Sequence, residues 1–225
     1  MQIVNSSTYG LKRKIASIDH ACSILGIRHL KRLILCAVLK QSFDSADENP
    51  FISTLWDSSL NTAVLGNFFA KELDLNISDE MYTLGMFHNA GKAVIYEEHK
   101  NYPEILEQAY LQNDLSVSLY EEKAIHTSHE IVGYQLATHW QLPSDICQVI
   151  MYHHQFDLVL MSAERPVREM CALLNTIEHI SGLHKVFSPK SKDHRWEKYQ
   201  KDFLEILHLD KQQVLDIYKK YCSLS

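Results

Sequence analysis

Four histidines, His88, His129, His153 and His154, each fall in or beside an apolar helical stretch of this chain. His88 lies in Leu84-Gly-Met-Phe-His88-Asn89-Ala-Gly91-Lys92-Ala-Val-Ile95, which reads as a buried helix broken at Gly91, with an imidazole and a carboxamide side by side at its centre. With aspartate at residue 89 the pair would be a compact ligand set for a divalent metal. Asparagine leaves only a neutral, weak oxygen donor. One histidine on an apolar face is usually a core residue bonded to a carbonyl. Four of them, on three predicted helices, fit a site of the kind helix bundles build by pointing side chains inward. His129-Glu130-Ile-Val-Gly133 begins like the zinc-protease motif His-Glu-x-x-His, but Gly133 stands at the second ligand position. The sequence has no Gly-x-Ser-x-Gly elbow, no phosphate-cradling glycine loop and no Cys-x-x-Cys pair.

The elements that must position these residues read as helices throughout. Only 7 glycines and 5 prolines occur in 225 residues, too few for the turns of an all-β chain, and no segment alternates with a period of two. Apolar residues recur at helical spacing from Ile27 to Val38. A long helix follows the polar loop 44–50, with Phe51, Leu55, Leu60, Ala63, Val64, Phe68 and Leu73 toward the core. Ser78 is placed to cap the helix that runs into His88-Asn89. Ser118-x-x-Glu121 and Thr127-x-x-Glu130 fit capping boxes, the second opening a helix from about Ser128 to Trp140 that stops at Leu142-Pro143. Ile146, Val149, Ile150 and His153 share the next helical face. Pro166 opens a helix carrying Val167, Met170, Cys171, Leu174 and Ile177 on one side, with Gly182 beyond its end. After the linker-like stretch 188–195 come two amphipathic helices, the second behind an Asp210-x-x-Gln213 cap. The predicted class is all-α.

Composition narrows the function. A formal charge of −6 with no basic block argues against a nucleic-acid binder. The longest uncharged apolar run, Leu33 to Leu39, is far below the ~20 residues a membrane helix needs. Five dispersed cysteines read as reduced core thiols, which fits a cytoplasmic protein. Protonating all 13 histidines would carry the charge from −6 to +7, so solubility is expected to be poorest in mildly acidic buffer. The basic groups at 12–14 and 190–195 read as solvated surface charge.

Several motifs come in order along the chain: Asn5-Ser6-x-x-Tyr9-Gly10, Ile15-x-Ser17-Ile18-x-x-Ala21, Leu25-Gly26, Trp56-x-x-Ser59, Leu84-Gly85-x-x-His88-x-x-Gly91-Lys92, His129-Glu130-x-x-Gly133-x-x-Leu136-x-x-x-Trp140-x-Leu142-Pro143, then Ile146, Ile150 and His153-His154. As a set they resemble the HDOD domain, the HD-related output domain of bacterial signalling proteins. The resemblance covers roughly residues 1–182, leaving 183–225 as a C-terminal helical extension packed on the domain. It implies a compact multi-helix bundle related to the HD-type metal-dependent phosphohydrolases. It also implies a regulatory role beside signalling proteins, such as receivers or cyclic-di-GMP-related domains. The family's helices ahead of the Asn-Ser motif are expected to be missing here, which would leave faces of residues 15–39 uncovered.

Active HD hydrolases use a first-helix histidine, the His-Asp pair and a late aspartate as metal ligands. By the resemblance these positions fall at Ser58, His88-Asn89 and near Asn175, so both carboxylates and one imidazole are absent. Neutral Ser and Asn do not supply the anionic oxygens that hold hard cations and ready a water for attack. The expectation is therefore a non-catalytic module with a degenerate pocket of Ser58, His88, Asn89, His129, His153, His154 and Asn175. No metal, cofactor or catalytic residue is assigned. The competing reading is a metal-dependent phosphohydrolase acting on a nucleotide.

Overall fold

The computed structural model describes residues 34, 38, 41, 49–111, 116–182, 185–186 and 192–224. The motifs of residues 5–26 and cysteines 22 and 36 lie outside them. Within the described residues every regular element is a helix. In order they are α1 (Pro50–Glu72), α2 (Ser78–Phe87), α3 (Ala90–Glu98), α4 (Tyr102–Leu111), α5 (Val117–Ile125), α6 (His129–His139), α7 (Ser144–Tyr152), α8 (Phe156–Ser162), α9 (Arg165–Ile180), α10 (His194–Ile206) and α11 (Lys211–Leu224). None is long and apolar enough to cross a membrane.

α1 starts where Asn49 accepts the Phe51 N–H at 2.9 Å and Pro50 fills the first turn, where a missing N–H costs nothing. It runs antiparallel to α2. Asn67 bonds the Ser78 carbonyl, Gly66 lies against Met81 and Gly85 against Ala63, so residue numbers rise on one helix as they fall on the other. A Cβ on Gly85 would lie 2.4 Å from the Ala63 backbone, so the two helices touch main chain to main chain. That contact explains one departure from expectation. Ser59 and Ala63 take the core-facing positions and Leu60, about 100° further round, is 40% exposed.

α9 is the central strut. Val167, Met170, Cys171, Leu174 and Ile177 are buried as predicted, and α9 packs against α1, α2, α7, α8 and α10. Gly182 follows it with φ +70, a left-handed value that suits glycine. The main apolar cluster also takes in Phe203, Leu204 and Leu207 at the end of α10 and Val214 of α11, so both C-terminal helices share the core of the bundle. A smaller cluster of Ile95, Tyr102 and Leu106 lies beneath α3 and α4. Asp210 and Gln213 exchange two 2.8 Å bonds, the reciprocal capping box expected at the start of α11.

Four local expectations are corrected. Ser78 does not cap α2: it is the first helical residue, and Ile77 holds the cap position and makes no side-chain bond to the opening N–H groups. The helix at residues 84–95 breaks at His88-Asn89, not at Gly91; α2 ends at Phe87 and α3 begins at Ala90. Gly91 has a packing reason instead, because a Cβ there would stand 2.1 Å from the His129 carbonyl oxygen. The cap of α5 is Ser116, leaving Ser118 and Glu121 buried inside the helix. The cap of α6 is Ser128 rather than Thr127, and Glu130 turns inward instead of back to the chain. Of the segment 15–39, Ile34 and Val38 are described, both helical and about half exposed.

Candidate functional site

The fold gathers most of the predicted pocket at the junction of α2/α3, α6, α7 and α9. His129 opens α6, and its ring is held from behind. The Nδ1–H donates to Glu121 on α5 at 2.7 and 2.9 Å, and the His129 backbone N–H donates to the same carboxylate at 3.0 Å. Tyr102 donates to Glu121 from the other side at 2.5 Å. Burial alone would push the Glu121 carboxyl up; the charge and hydrogen bonds of His129, with Tyr102, outweigh it and hold the group below its usual value. Burial, then the neighbouring carboxylate, drives the Tyr102 hydroxyl well above its ordinary pKa, so it stays a donor.

With Nδ1 committed, Nε2 of His129 faces Nε2 of His154 at 3.1 Å, a contact in which one ring donates to the lone pair of the other. His153, at the end of α7, donates Nδ1–H to the Ile150 carbonyl at 2.8 Å. That fixes the tautomer, and its Nε2 lone pair is buried with no donor among the described residues. Burial first, then surrounding positive groups, hold His153 and His154 well below the ordinary imidazole pKa. For His153 those groups are the other imidazoles, and for His154 Arg195 leads them. Both rings are neutral at neutral pH. One ring nitrogen each from His129, His153 and His154 lie within 4.8 Å of one another, a spacing a metal ion can span.

His88 belongs to the adjoining half. Its Nδ1–H donates to the Gly85 carbonyl at 2.9 Å, and Asn89 donates its amide to the Nε2 lone pair at 2.7 Å. Glu178 of α9 lies 3.4 Å from the same nitrogen and 2.9 Å from the Arg195 guanidinium of α10. Arg195 also reaches the His153 carbonyl at 3.4 Å. Burial would raise the Glu178 carboxyl; the Arg195 guanidinium outweighs it and holds the group well below the carboxylate range. Arg195 in turn loses by burial and gains more from Glu178 and Asp193, so its pKa rises above the ordinary value. The His88 and His153 rings meet edge to face with centroids 5.9 Å apart, which makes the two halves contiguous.

The remaining expected pocket residues are turned onto their own helices. Ser58 donates to the Leu55 carbonyl at 2.8 Å. Asn175 donates to the Cys171 carbonyl at 2.8 Å and lies 3.5 Å from the His153 carbonyl. The two-ion centre of the hydrolases does not fit these residues: Ser58, Asn89 and Asn175 spend their polar groups within the fold, and the carboxylate beside His88 is tied to a guanidinium.

Glu121, Glu178 and Arg195 are site residues the sequence reading did not assign. Glu121 had passed for half of a capping box and Arg195 for linker charge. The available signal was charge on an otherwise apolar helical face, plain for Glu178, three residues after Asn175 on α9. Lys92 is also buried and bonds the Tyr110 hydroxyl at 3.3 Å. Glu130 sits buried beside the hydroxyls of Ser118 and Ser128, neither oxygen within a good hydrogen bond, and burial pushes its carboxyl up.

An all-helical bundle with an imidazole cluster and a His-Asn pair at its centre is an HD-related architecture. The chain belongs to the HDOD family: the model of the HDOD domain matches residues 1–156. It is 24% identical over 158 residues to an uncharacterized protein of Treponema pallidum (strain Nichols), a match covering 68% of this chain and 30% of that protein's length. Among solved structures it resembles an HDOD domain protein of unknown function from Geobacter sulfurreducens (TM-score 0.63, 21% identity, 92% of this chain and 78% of that one). It also resembles a "Putative phosphohydrolase" of Shewanella amazonensis SB2B (0.67, 15%, 99% and 78%) and the MmoQ response regulator of Methylococcus capsulatus str. Bath (0.56, 16%, 96% and 81%). At these identities the likeness is one of fold.

Proposed function

We propose that this chain is a cytoplasmic signal-transduction module of the HDOD type that acts by contact with other signalling proteins and does not hydrolyse phosphoesters. One observation carries the reading. At Ser58, Asn89 and Asn175, where the resemblance places metal ligands of the hydrolases, neutral side chains are already hydrogen-bonded inside the protein, and the carboxylate beside His88 among the described residues is paired with Arg195. Phosphoester hydrolysis in this fold needs anionic oxygens to hold hard cations, polarise the phosphoryl group and lower the pKa of a water. A guanidinium in that place is a fixed cation that cannot bind a water as a metal does. Receiver and cyclic-di-GMP-related domains are the partner classes this reading favours, and the resemblance to a protein named as a response regulator supports it.

The test is a phosphodiesterase assay on purified full-length chain with Mn²⁺ added, using cyclic dinucleotides and bis(p-nitrophenyl) phosphate. No turnover above buffer is expected. Turnover that disappears in His88→Ala would establish the competing reading, a nucleotide phosphohydrolase.

A further inference from the structure

The three imidazoles on the α6/α7 side of the cluster bear on metal binding in a way the His-Asn pair does not. We propose that His129, His153 and His154 form a site for a single borderline divalent ion, of the Zn²⁺ class, that clips the start of α6 to the end of α7. The inference goes beyond the function above and holds whether or not the module turns anything over.

Four features carry it. The Nε2 atoms of His129 and His154 are 3.1 Å apart, against roughly 3.3–3.4 Å for two nitrogens each ~2.0–2.1 Å from one tetrahedral ion. The third ring, His153, is fully buried, and its Nε2 lone pair has no hydrogen-bond partner among the described residues, an acceptor that a cation satisfies. Two of the rings carry the backing that metal-bound histidines have: Glu121 on Nδ1 of His129 and the Ile150 carbonyl on Nδ1 of His153. Finally, the set is all nitrogen and stands near the positive Arg195 and Lys92. Attraction by net negative charge is therefore weak, and binding depends on bonds to imidazole lone pairs. That favours Zn²⁺ or Co²⁺ over Mg²⁺ and Ca²⁺. His154 is only partly buried.

The experiment strips full-length protein with chelator and titrates Zn²⁺ by calorimetry and Co²⁺ by visible absorption. One equivalent is expected, with cobalt d–d bands of a four- or five-coordinate nitrogen site and a higher melting temperature in the loaded protein. His153→Gln and His154→Gln should weaken binding at least about 100-fold, and Glu121→Gln, which removes only the support behind His129, about 10–100-fold. His154→Gln changes a partly exposed side chain, so the test survives if His153→Gln fails to fold. Absence of stoichiometric binding to the wild type overturns the proposal. So does binding of equal strength in His154→Gln, which would place the ion on other histidines.

Discussion

Gly91 and Gly133 face each other across the α3–α6 crossing, and the same substitution at each should give opposite results. A Cβ on Gly91 would meet three main-chain atoms: the His129 oxygen at 2.1 Å, the Gly133 nitrogen at 2.7 Å and the His129 carbon at 3.0 Å. A Cβ on Gly133 would meet the Ile150 Cγ2 at 3.1 Å, a side-chain atom able to yield a few tenths of an ångström, and otherwise nothing nearer than 3.6 Å. Alanine gains about 1 kcal/mol over glycine in a helix interior. Gly133→Ala should therefore be neutral or slightly stabilising. Gly91→Ala must push α3 off α6 by about 1.3 Å to turn 2.1 Å into an ordinary 3.4 Å contact. Overpacking that only backbone movement relieves costs typically 1–3 kcal/mol and occasionally more. Taking the upper end of that range, a net loss of about 2–3 kcal/mol is expected, or roughly 5–10 °C in Tm at about 2–4 °C per kcal/mol for a domain of this size. Calorimetric melts of the two variants beside wild type read the difference directly. Equal melting temperatures for the two alanine variants would refute the close crossing, and with it the account of how His129 is held in the cluster.

Three further outcomes follow from the same geometry. Arg195→Met removes the guanidinium that pairs with the buried Glu178 carboxylate and should cost about 3–5 kcal/mol at pH 7. Because Glu178 has a depressed folded pKa, its contribution is present above the unfolded carboxylate value and lost as pH falls through the folded one, so the gap between wild type and variant in urea melts should narrow as pH is lowered below the ordinary carboxylate range; a gap independent of pH would contradict the pairing. Glu130 carries the opposite sign. Its raised pKa means stability falls as pH rises from the unfolded value through the folded one, so Glu130→Gln should be stabilising relative to wild type at pH 8 and not at pH 4, as read by urea melts. Burial pushes the Cys171 thiol up to about 12 and raises Cys147 as well, while Cys222 is exposed. Iodoacetamide mapping of the native protein should label Cys222 and spare Cys171 and Cys147; rapid labelling of Cys171 would show that α9 is not the packed strut described above.

Helix identity was legible in the chain because it rests on local physics: apolar residues at 3.6-residue spacing, caps such as Asp210-x-x-Gln213, Pro166 in a first turn, and Gly182 past an end; Pro50, read as the end of a loop, instead opens α1. The near misses at Ser118 and Thr127 are of the same origin. Neighbouring hydroxyl residues, Ser116 and Ser118 or Thr127 and Ser128, compete for one cap, and the choice between them is made by what the rest of the turn must bury. Residue types also singled out His88, His129, His153 and His154, since imidazoles on apolar faces need partners, and the fold brings their rings together.

Which partners they have was decided only by the tertiary structure. Glu121 lies eight residues from His129, and Arg195 lies 17 from Glu178 and 42 from His153. No helical period links such separations. The same holds for Gly91, read as a break because glycine weakens a helix, yet required because the His129 backbone passes 2.1 Å from where a Cβ would be. Sequence specifies which faces are apolar; the way those faces close determines which charges meet across them, and at this site that closing sets a guanidinium against the carboxylate beside His88.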